Sequence, residues 1–357
     1  MIVLGIETSC DDTSVAILKG EAGKKGGLPE LLGMESFSQE FLLRKWGGVV
    51  PEIAARNHLA KIVPLLEEVF TKTSLSPKDI DLIGITTHPG LLGPLLTGLN
   101  IAKGLALIHQ KPLIGVNHLY AHLEAIFMTH KPSYPYLGVL VSGGHSLFLL
   151  VSSSQDMRLL GTTIDDAAGE AFDKGGKLMG LGYPAGPLID RLAADGDEKR
   201  FEFPIGLKAS KSADLSYSGL KTALRTHLEK YPEHMVKDQN YTQDHKDLCA
   251  SYQHAIIGAL LLKLRYAKAR AQELTDLKDF PIVVGGGVAC NRGLRKALES
   301  EKEVYFVDPK YCTDNGAMIA NFALRSAAYG KPFPECLSTD ARGRFIEKNQ
   351  TQQRPTR

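Results

Sequence analysis

Met1-Ile-Val-Leu-Gly-Ile-Glu-Thr-Ser-Cys-Asp-Asp-Thr-Ser-Val-Ala-Ile-Leu18 sets the architecture of this chain. Two apolar runs, residues 2–6 and 14–18, flank the polar turn Glu7-Thr-Ser-Cys-Asp-Asp-Thr13, the pattern of two short strands joined by hydroxyl and carboxylate turns. A Gly/Lys hairpin over 20–29 leads to a third strand at 31–36. Apolar residues at helical spacing follow over 53–70, then a strand at 81–86, a helix at 95–108, a strand at 112–116 and a helix at 119–130. After Lys131-Pro-Ser-Tyr-Pro135 the opening repeats, with strands expected at 137–141, 146–152 and 157–162. Helices are expected at 165–179, 250–274, 292–300 and 314–329, and strands at 280–284 and 304–307. The repeated element order predicts two duplicated α/β lobes with a cleft between them: an N-terminal lobe over 1–134 and a C-terminal lobe over 135–330. Residues 184–243, polar and partly basic, read as an insertion, and 331–357 as a C-terminal tail, solvated over 349–357.

Composition limits the function classes. A length of 357 residues is about two domains at roughly 150 residues each. Lys and Arg number 42 against 40 Asp and Glu, so any nucleic-acid contact must come from a local patch. The five cysteines include no C-x-x-C pair, which reads as a reducing compartment without a zinc ribbon. The N-terminus lacks a basic region before its apolar run, and the apolar stretch 136–151 is broken by Ser142-Gly-Gly-His145, so a cytoplasmic protein without a membrane span is expected.

The sharpest local signal is His118-Leu-Tyr-Ala-His122, because residues four apart lie on one helix face and two imidazoles there can share a metal. Leu119 stands where a zinc peptidase carries its general-base glutamate. Two histidines at a helix start also occur without a metal, so a third ligand matters. Asp314, in Tyr311-Cys-Thr-Asp-Asn-Gly316, is the candidate; an Asp before a helix is otherwise an N-cap. Two His and one carboxylate suit Zn, Fe(II) or Mn and leave positions open for substrate.

Three glycine-rich turns follow or interrupt apolar strands: Ser142-Gly-Gly-His145, the segment 169–186 with Asp173 inside it, and Gly285-Gly-Gly-Val-Ala-Cys-Asn291. Glycine lets backbone approach a phosphate closely, and a following helix start favours negative charge. No Walker A pattern exists, and Cys290 takes the place of the last glycine of G-x-G-x-x-G. Lys208, Lys211, Lys221 and Arg225, with Tyr217 among them, form a basic stretch compatible with phosphate-backbone contact or with a solvated face.

These motifs, with Gly47-Gly-Val-Val-Pro-Glu52, Pro89-Gly-Leu-Leu-Gly93 and Ser218-Gly-Leu-Lys-Thr222, resemble the TsaD (Gcp/YgjD) family over residues 1–330. Trp46, His88 and the Lys24-Lys25 hairpin are small departures. The resemblance implies a two-lobe actin-like, sugar-kinase-like (ASKHA) fold with duplicated RNase H-like lobes. It implies transfer of threonylcarbamoyl from threonylcarbamoyl-AMP to N6 of adenosine 37 in tRNAs reading ANN codons, with release of AMP. His118, His122 and Asp314 match the family's metal ligands, for one divalent ion per chain, Fe2+ before Zn2+. Val141, Ser142, Gly143, Gly144 and His145, with Asp173, Gly186, Asp190 and Asn291, match positions that bind the adenylate; His145 and Asp173 are the candidate bases. The implied partners are tRNA, a paralogous TsaB-like protein of the same fold and a small TsaE-like ATPase. The competing readings are a metallopeptidase, a nucleotide-hydrolysing or kinase-like member of the same fold, and a non-catalytic scaffold.

Overall fold

The computed structural model describes residues 1–23, 27–43, 46, 48–238 and 240–344. Lys24, Lys25, Gly47 and the expected solvated tail at 349–357 lie outside the described residues. The chain divides into two compact units, the first built from residues 1–131, 154–156 and the segment from 314 onward, the second from 132–153 and 157–313.

The first unit opens with β1 (Ile2–Glu7), β2 (Asp12–Lys19) and β3 (Glu30–Ser38), an antiparallel meander. After α1 (Glu40–Leu43) and α2 (Pro51–Thr73) come β4 (Leu82–His88), α3 (Leu92–His109), β5 (Leu113–Asn117) and α4 (His118–Glu124). The sheet order is β3-β2-β1-β4-β5, with β4 parallel to β1 and β5 parallel to β4. β1 and β4 are buried almost throughout, and their near-continuous apolar runs are what strands covered on both faces require. Because β1, β4 and β5 run the same way, Glu7, Thr86 and Asn117 all finish at one edge of the sheet, where open α/β sheets place their ligands.

In the second unit, β6 (Tyr136–Val141), β7 (Ser146–Ser153) and β8 (Asp156–Thr162) precede α5 (Ala168–Leu178), α6 (Gly186–Ala193), α7 (Ser218–Lys230) and α8 (Gln243–Thr275). β9 (Ile282–Gly285), α9 (Arg292–Leu298), β10 (Val304–Phe306) and α10 (Pro309–Cys312) complete it. The order β10-β9-β6-β7-β8 is the first sheet's order over again, with β6 antiparallel to β7 and parallel to β9. The duplication expected from element order is therefore a duplication of topology.

Three sequence expectations are modified. The last helix, α11 (Gly316–Arg325), packs on β1, β2 and β4 of the first unit, although the sequence reading placed 314–330 in the C-terminal lobe. Small residues permit this: a Cβ on Gly5 would lie 2.2 Å from the Gly316 carbonyl oxygen, so strand and helix backbones meet where only glycine fits. The expected helix at 165–179 begins at Ala168, because Asp165 instead accepts the Tyr217 amide at 2.8 Å. The stretch 184–243 holds α6 and α7, and buried Lys263 on α8 donates to the carbonyls of Leu207, Ser210 and Ser212 at 2.9, 2.8 and 3.0 Å, tying down the irregular chain between those two helices.

Candidate metal centre and glycine turns

Asn117 ends β5 and caps α4, its side chain accepting the Leu119 and Tyr120 amides at 2.9 and 3.3 Å. That cap starts the helix at His118 and sets His118 and His122 one turn apart on the same face, both buried. Asp314 arrives from the other end of the chain, immediately before α11. The capping role weighed for Asp314 is taken by Asn315, whose side chain accepts the Met318 amide at 2.8 Å. Arg325 on α11 pairs with buried Glu124 on α4 at 3.0 Å, and Asn321 donates to the Glu124 carbonyl at 2.8 Å. α11 thus clamps α4, and with it both histidines, against the segment that carries Asp314.

The three ligand atoms converge. His122 Nε2 lies 3.0 Å from Asp314 Oδ1 and 3.2 Å from His118 Nε2, and His118 Nε2 lies 3.4 Å from the same Asp314 oxygen. Nitrogen and oxygen ligands about 2.0–2.2 Å from one ion, at right to tetrahedral angles, stand about 3.0–3.5 Å apart. Among the described residues this is the one group of three that could hold a metal. His118 Nδ1 faces Glu7 Oε2 at 3.1 Å and Ser9 Oγ at 3.2 Å, which places a proton on Nδ1 and turns Nε2 toward Asp314. Glu7 is fully buried and also accepts the Ser9 amide at 2.6 Å and the Thr86 hydroxyl at 2.5 Å.

Electrostatics favour a cation here. Burial alone would push Glu7 up, but the charge and hydrogen bond of His118 hold its carboxyl below the usual range. Burial likewise opposes the His118 cation, yet Asp314 and Glu7 lift its pKa to about 9. Asp12 is pushed up to about 7 by burial and by the charge of Asp314, and its Oδ1 is buried with no hydrogen-bond partner. Asp11 is raised for the same two reasons. The donor set, its spacing and this surplus of carboxylate fit a divalent ion.

Sequence reasoning marked the 7–13 turn without finding what supports it. Glu7 is 111 residues from His118, and no spacing rule connects them. His58, buried on α2, donates from Nε2 to the Cys10 carbonyl at 3.0 Å and accepts from the Thr13 hydroxyl at 2.8 Å. A carbonyl only accepts, so His58 is the neutral Nε2–H tautomer, in keeping with burial lowering its pKa. Its place on the inner stripe of α2, with Ala54, Ile62 and Leu65, was the only available signal.

In the second unit the three glycine turns meet. Ser142-Gly-Gly-His145 is a two-residue hairpin between β6 and β7, closed by the Ser142 amide on the His145 carbonyl at 2.8 Å. The Gly169 and Glu170 amides at the start of α5 donate to the Ser142 and Gly143 carbonyls at 3.2 and 3.1 Å. Gly286, at φ +90°, presses against Val141, whose carbonyl oxygen would sit 2.4 Å from an added Cβ. Asp173 accepts the Ala185 amide at 2.8 Å and the Gly186 amide at 3.4 Å, so its carboxylate starts α6. Asp190, on α6, takes the Arg292 amide at 3.1 Å and the Arg292 guanidinium at 2.9 Å. Asn291 caps α9 and donates to Gln253 at 2.6 Å. Asp190, Gln253 and Arg292 line a cavity of about 720 Å³.

The basic stretch is only partly as expected. Lys208, Lys211 and Arg225 are exposed, Lys221 lies 3.6 Å from Asp166, and Tyr217 is buried, so it offers no ring for base stacking.

A family model described as TsaD, tRNA N6-adenosine threonylcarbamoyltransferase, matches residues 30–321. Proteins named tRNA N6-adenosine threonylcarbamoyltransferase from Anaeromyxobacter sp. (strain Fw109-5) and Thermosipho africanus (strain TCF52B) are similar to the chain. They are 45% identical over 329 residues and 46% identical over 328, each match covering 90% of this chain and 92% of the relative. Among solved structures, the (R)-2-hydroxyglutaryl-CoA dehydratase component A of Acidaminococcus fermentans superposes with a TM-score of 0.51 at 16% identity, over 92% of this chain and 99% of its own. Full-length HypF superposes with a TM-score of 0.53 at 15% identity, over 92% of this chain and 46% of its own. At that identity the two structures speak for the shared ASKHA fold.

Proposed function

The chain belongs to the TsaD family of tRNA N6-adenosine threonylcarbamoyltransferases, and on that basis we propose the reaction its residues perform. It is an acyltransferase: the exocyclic N6 of the adenosine beside the tRNA anticodon attacks the carbamoyl carbonyl of threonylcarbamoyl-AMP, the N–C bond forms, and AMP leaves. The observation that carries this reading is the convergence of His118, His122 and Asp314, all inside the matched segment, on one point with His118 oriented by buried Glu7.

His118 Nε2, His122 Nε2 and Asp314 Oδ1 would hold the divalent ion, with Fe2+ favoured. Bound there, it supplies a Lewis acid with open positions for a carboxylate or carbonyl oxygen. The glycine turns of the second unit suit the adenylate, because Gly143, Gly144 and Gly287 would meet nothing within 4 Å on gaining a Cβ and leave backbone open to a phosphate. Asp190, Asn291 and the cavity they adjoin suit its nucleoside. Adenine N6 is a feeble nucleophile, so positioning and stabilisation of the developing oxyanion supply most of the acceleration. Asp173 is committed to the amides of Ala185 and Gly186 and so positions Gly186; of the two candidate bases this favours His145. The target base sits in a single-stranded loop, from which it can be splayed without breaking a duplex. Exposed Lys208, Lys211 and Arg225 are the proposed tRNA contacts.

A peptidase reading lacks its base, since Leu119 is apolar and buried. A paralogous partner is supported by the outer face of the first unit, where Leu59 and Val63 on α2 and Leu92 and Leu96 on α3 are exposed. Ile62, Leu65, Leu66, Val69 and Phe70, on the same helix as the first pair, are core. No helix of the described residues is long and apolar enough to cross a membrane, and the five cysteines are free thiols, in keeping with a cytoplasmic setting.

The test is transfer of labelled threonylcarbamoyl from its adenylate to an unmodified ANN-decoding tRNA, with and without the paralogue and the ATPase. The native chain should form product, and His118→Ala should lose both bound metal and at least about a hundredfold in rate. Absence of product with every partner present would overturn the reading.

A further inference from the structure

Gln253 lies outside every motif read from the sequence. It stands on α8 next to Tyr252, whose buried hydroxyl donates to the Ala171 carbonyl at 2.9 Å and holds this turn of α8 against α5. Gln253 is itself buried, and its Oε1 accepts from the side-chain amide of buried Asn291 at 2.6 Å. Asn291 Oδ1 accepts the Leu294 amide at 2.9 Å, which caps α9. A backbone N–H only donates, so Asn291 must turn its oxygen to Leu294 and its nitrogen to Gln253, and Gln253 must answer with oxygen. Neither amide is free to flip. The next residue is tied as well: the Arg292 amide donates to Asp190 at 3.1 Å, so positions 291 and 292 are anchored to α8 and α6, two helices that line the same cavity of about 720 Å³.

Glycine at 293 makes room for the contact. A Cβ there would lie 2.6 Å from Gln253 Nε2, 2.9 Å from Ile257 Cδ1 and 3.2 Å from Asn291 Oδ1. Gly293 is the second residue of α9, where alanine would cost less conformational entropy than glycine. The bare Cα is explained by the amide packed on it.

We propose that Gln253 is a positioning residue for the adenylate, acting through Asn291. Asn291 has spent one lone pair on Leu294 and one N–H on Gln253, and what remains for a nucleoside is one acceptor site and one N–H. Gln253 holds these two at a set angle, because without it the Asn291 amide can pivot about its capping bond. A group that orients a ligand-binding side chain acts on affinity for that ligand, whereas a bond that only steadies α9 does not. The inference rests on the reading of Asn291 as a nucleoside-binding position.

The test is binding of AMP to the full-length chain by calorimetry. Gln253→Met keeps the length of the side chain and removes the acceptor, and AMP should bind about tenfold more weakly. Gly293→Ala leaves both polar residues in the sequence and pushes the Gln253 amide off Asn291, so it should give a loss of the same size. Gln253→Glu keeps an oxygen for Asn291 and should bind AMP within about threefold of the native chain. In the transfer assay Gln253→Met should raise KM for threonylcarbamoyl-AMP by the factor seen for AMP, with kcat within about twofold of native. Unchanged AMP affinity in Gln253→Met, a loss in Gln253→Glu equal to that in Gln253→Met, or a fall in kcat at constant KM would each overturn the positioning role alone. A native chain that binds no AMP would overturn the nucleoside site on which the proposal rests, and the proposal with it.

Discussion

The metal centre of the first unit and the glycine turns of the second are built on the same strand order but by opposite means. The centre is a meeting of buried side chains from positions 7, 118 and 122 with the half-buried Asp314, each held by a partner. The turns are backbone: Gly169, Gly286 and the 142–145 hairpin pack main chain against main chain, with side chains such as Asp173 used to hold amides in place. The contrast follows from the ligands each suits. A metal needs lone pairs from fixed atoms, and buried side chains supply them; a phosphate needs N–H groups and room, and glycine supplies both.

Three substitutions break or sharpen this contrast. Arg325→Met removes the guanidinium that pairs with buried Glu124 at 3.0 Å, and breaking a buried ion pair is worth about 3–5 kcal/mol. Chemical denaturation should show that loss together with weakened metal binding, because the same pair clamps α4. Glu7→Gln keeps the shape but removes the charge that fixes the His118 proton, so metal affinity measured by competition with a chelator should fall about 10- to 100-fold. Gly286→Ala forces a Cβ to within 2.4 Å of the Val141 carbonyl at φ +90°, a strain on the order of 1–3 kcal/mol. Here metal content, read by elemental analysis, should stay at the native level while transfer falls, the reverse of the first two. Equal loss of metal in all three variants would erase the distinction between the regions.

The smallest effect is a proton. With the His118 pKa at about 9 in the metal-free chain, metal uptake at about pH 7.5 should release close to one proton per site in an unbuffered titration, and far less above about pH 10. The sign for stability follows. His118 is raised above its ordinary 6.5, so the metal-free protein keeps this contribution below about pH 6.5 and loses it as the pH climbs through about 9.

Much of the site was legible because it is local. The four-residue spacing of His118 and His122 survives as one helix face, and the polar turn after β1 remains a turn at the end of a parallel strand. The glycine turns were visible individually, since each follows an apolar run, but their meeting at Val141 and Ser142 was not. The basic stretch misled at one position: Tyr217 looks like a stacking ring in sequence and is instead a buried side chain under the α7 start.

Periodicity and turn chemistry in the chain fix the duplicated βββαβαβα order, the helix bearing the histidine pair and the family resemblance, because these depend on residues within a few positions of each other. The return of α11 to the first unit rests on contact across more than three hundred residues, where Gly5 and Gly316 let two backbones touch. The same packing delivers Asp314 to the histidines, leaves the cap to Asn315, and sets His118 between Glu7 and Asp314, whose charges lift its pKa against burial. Spacing carries no record of these contacts: burial and long-range packing arise only once the chain has folded around them.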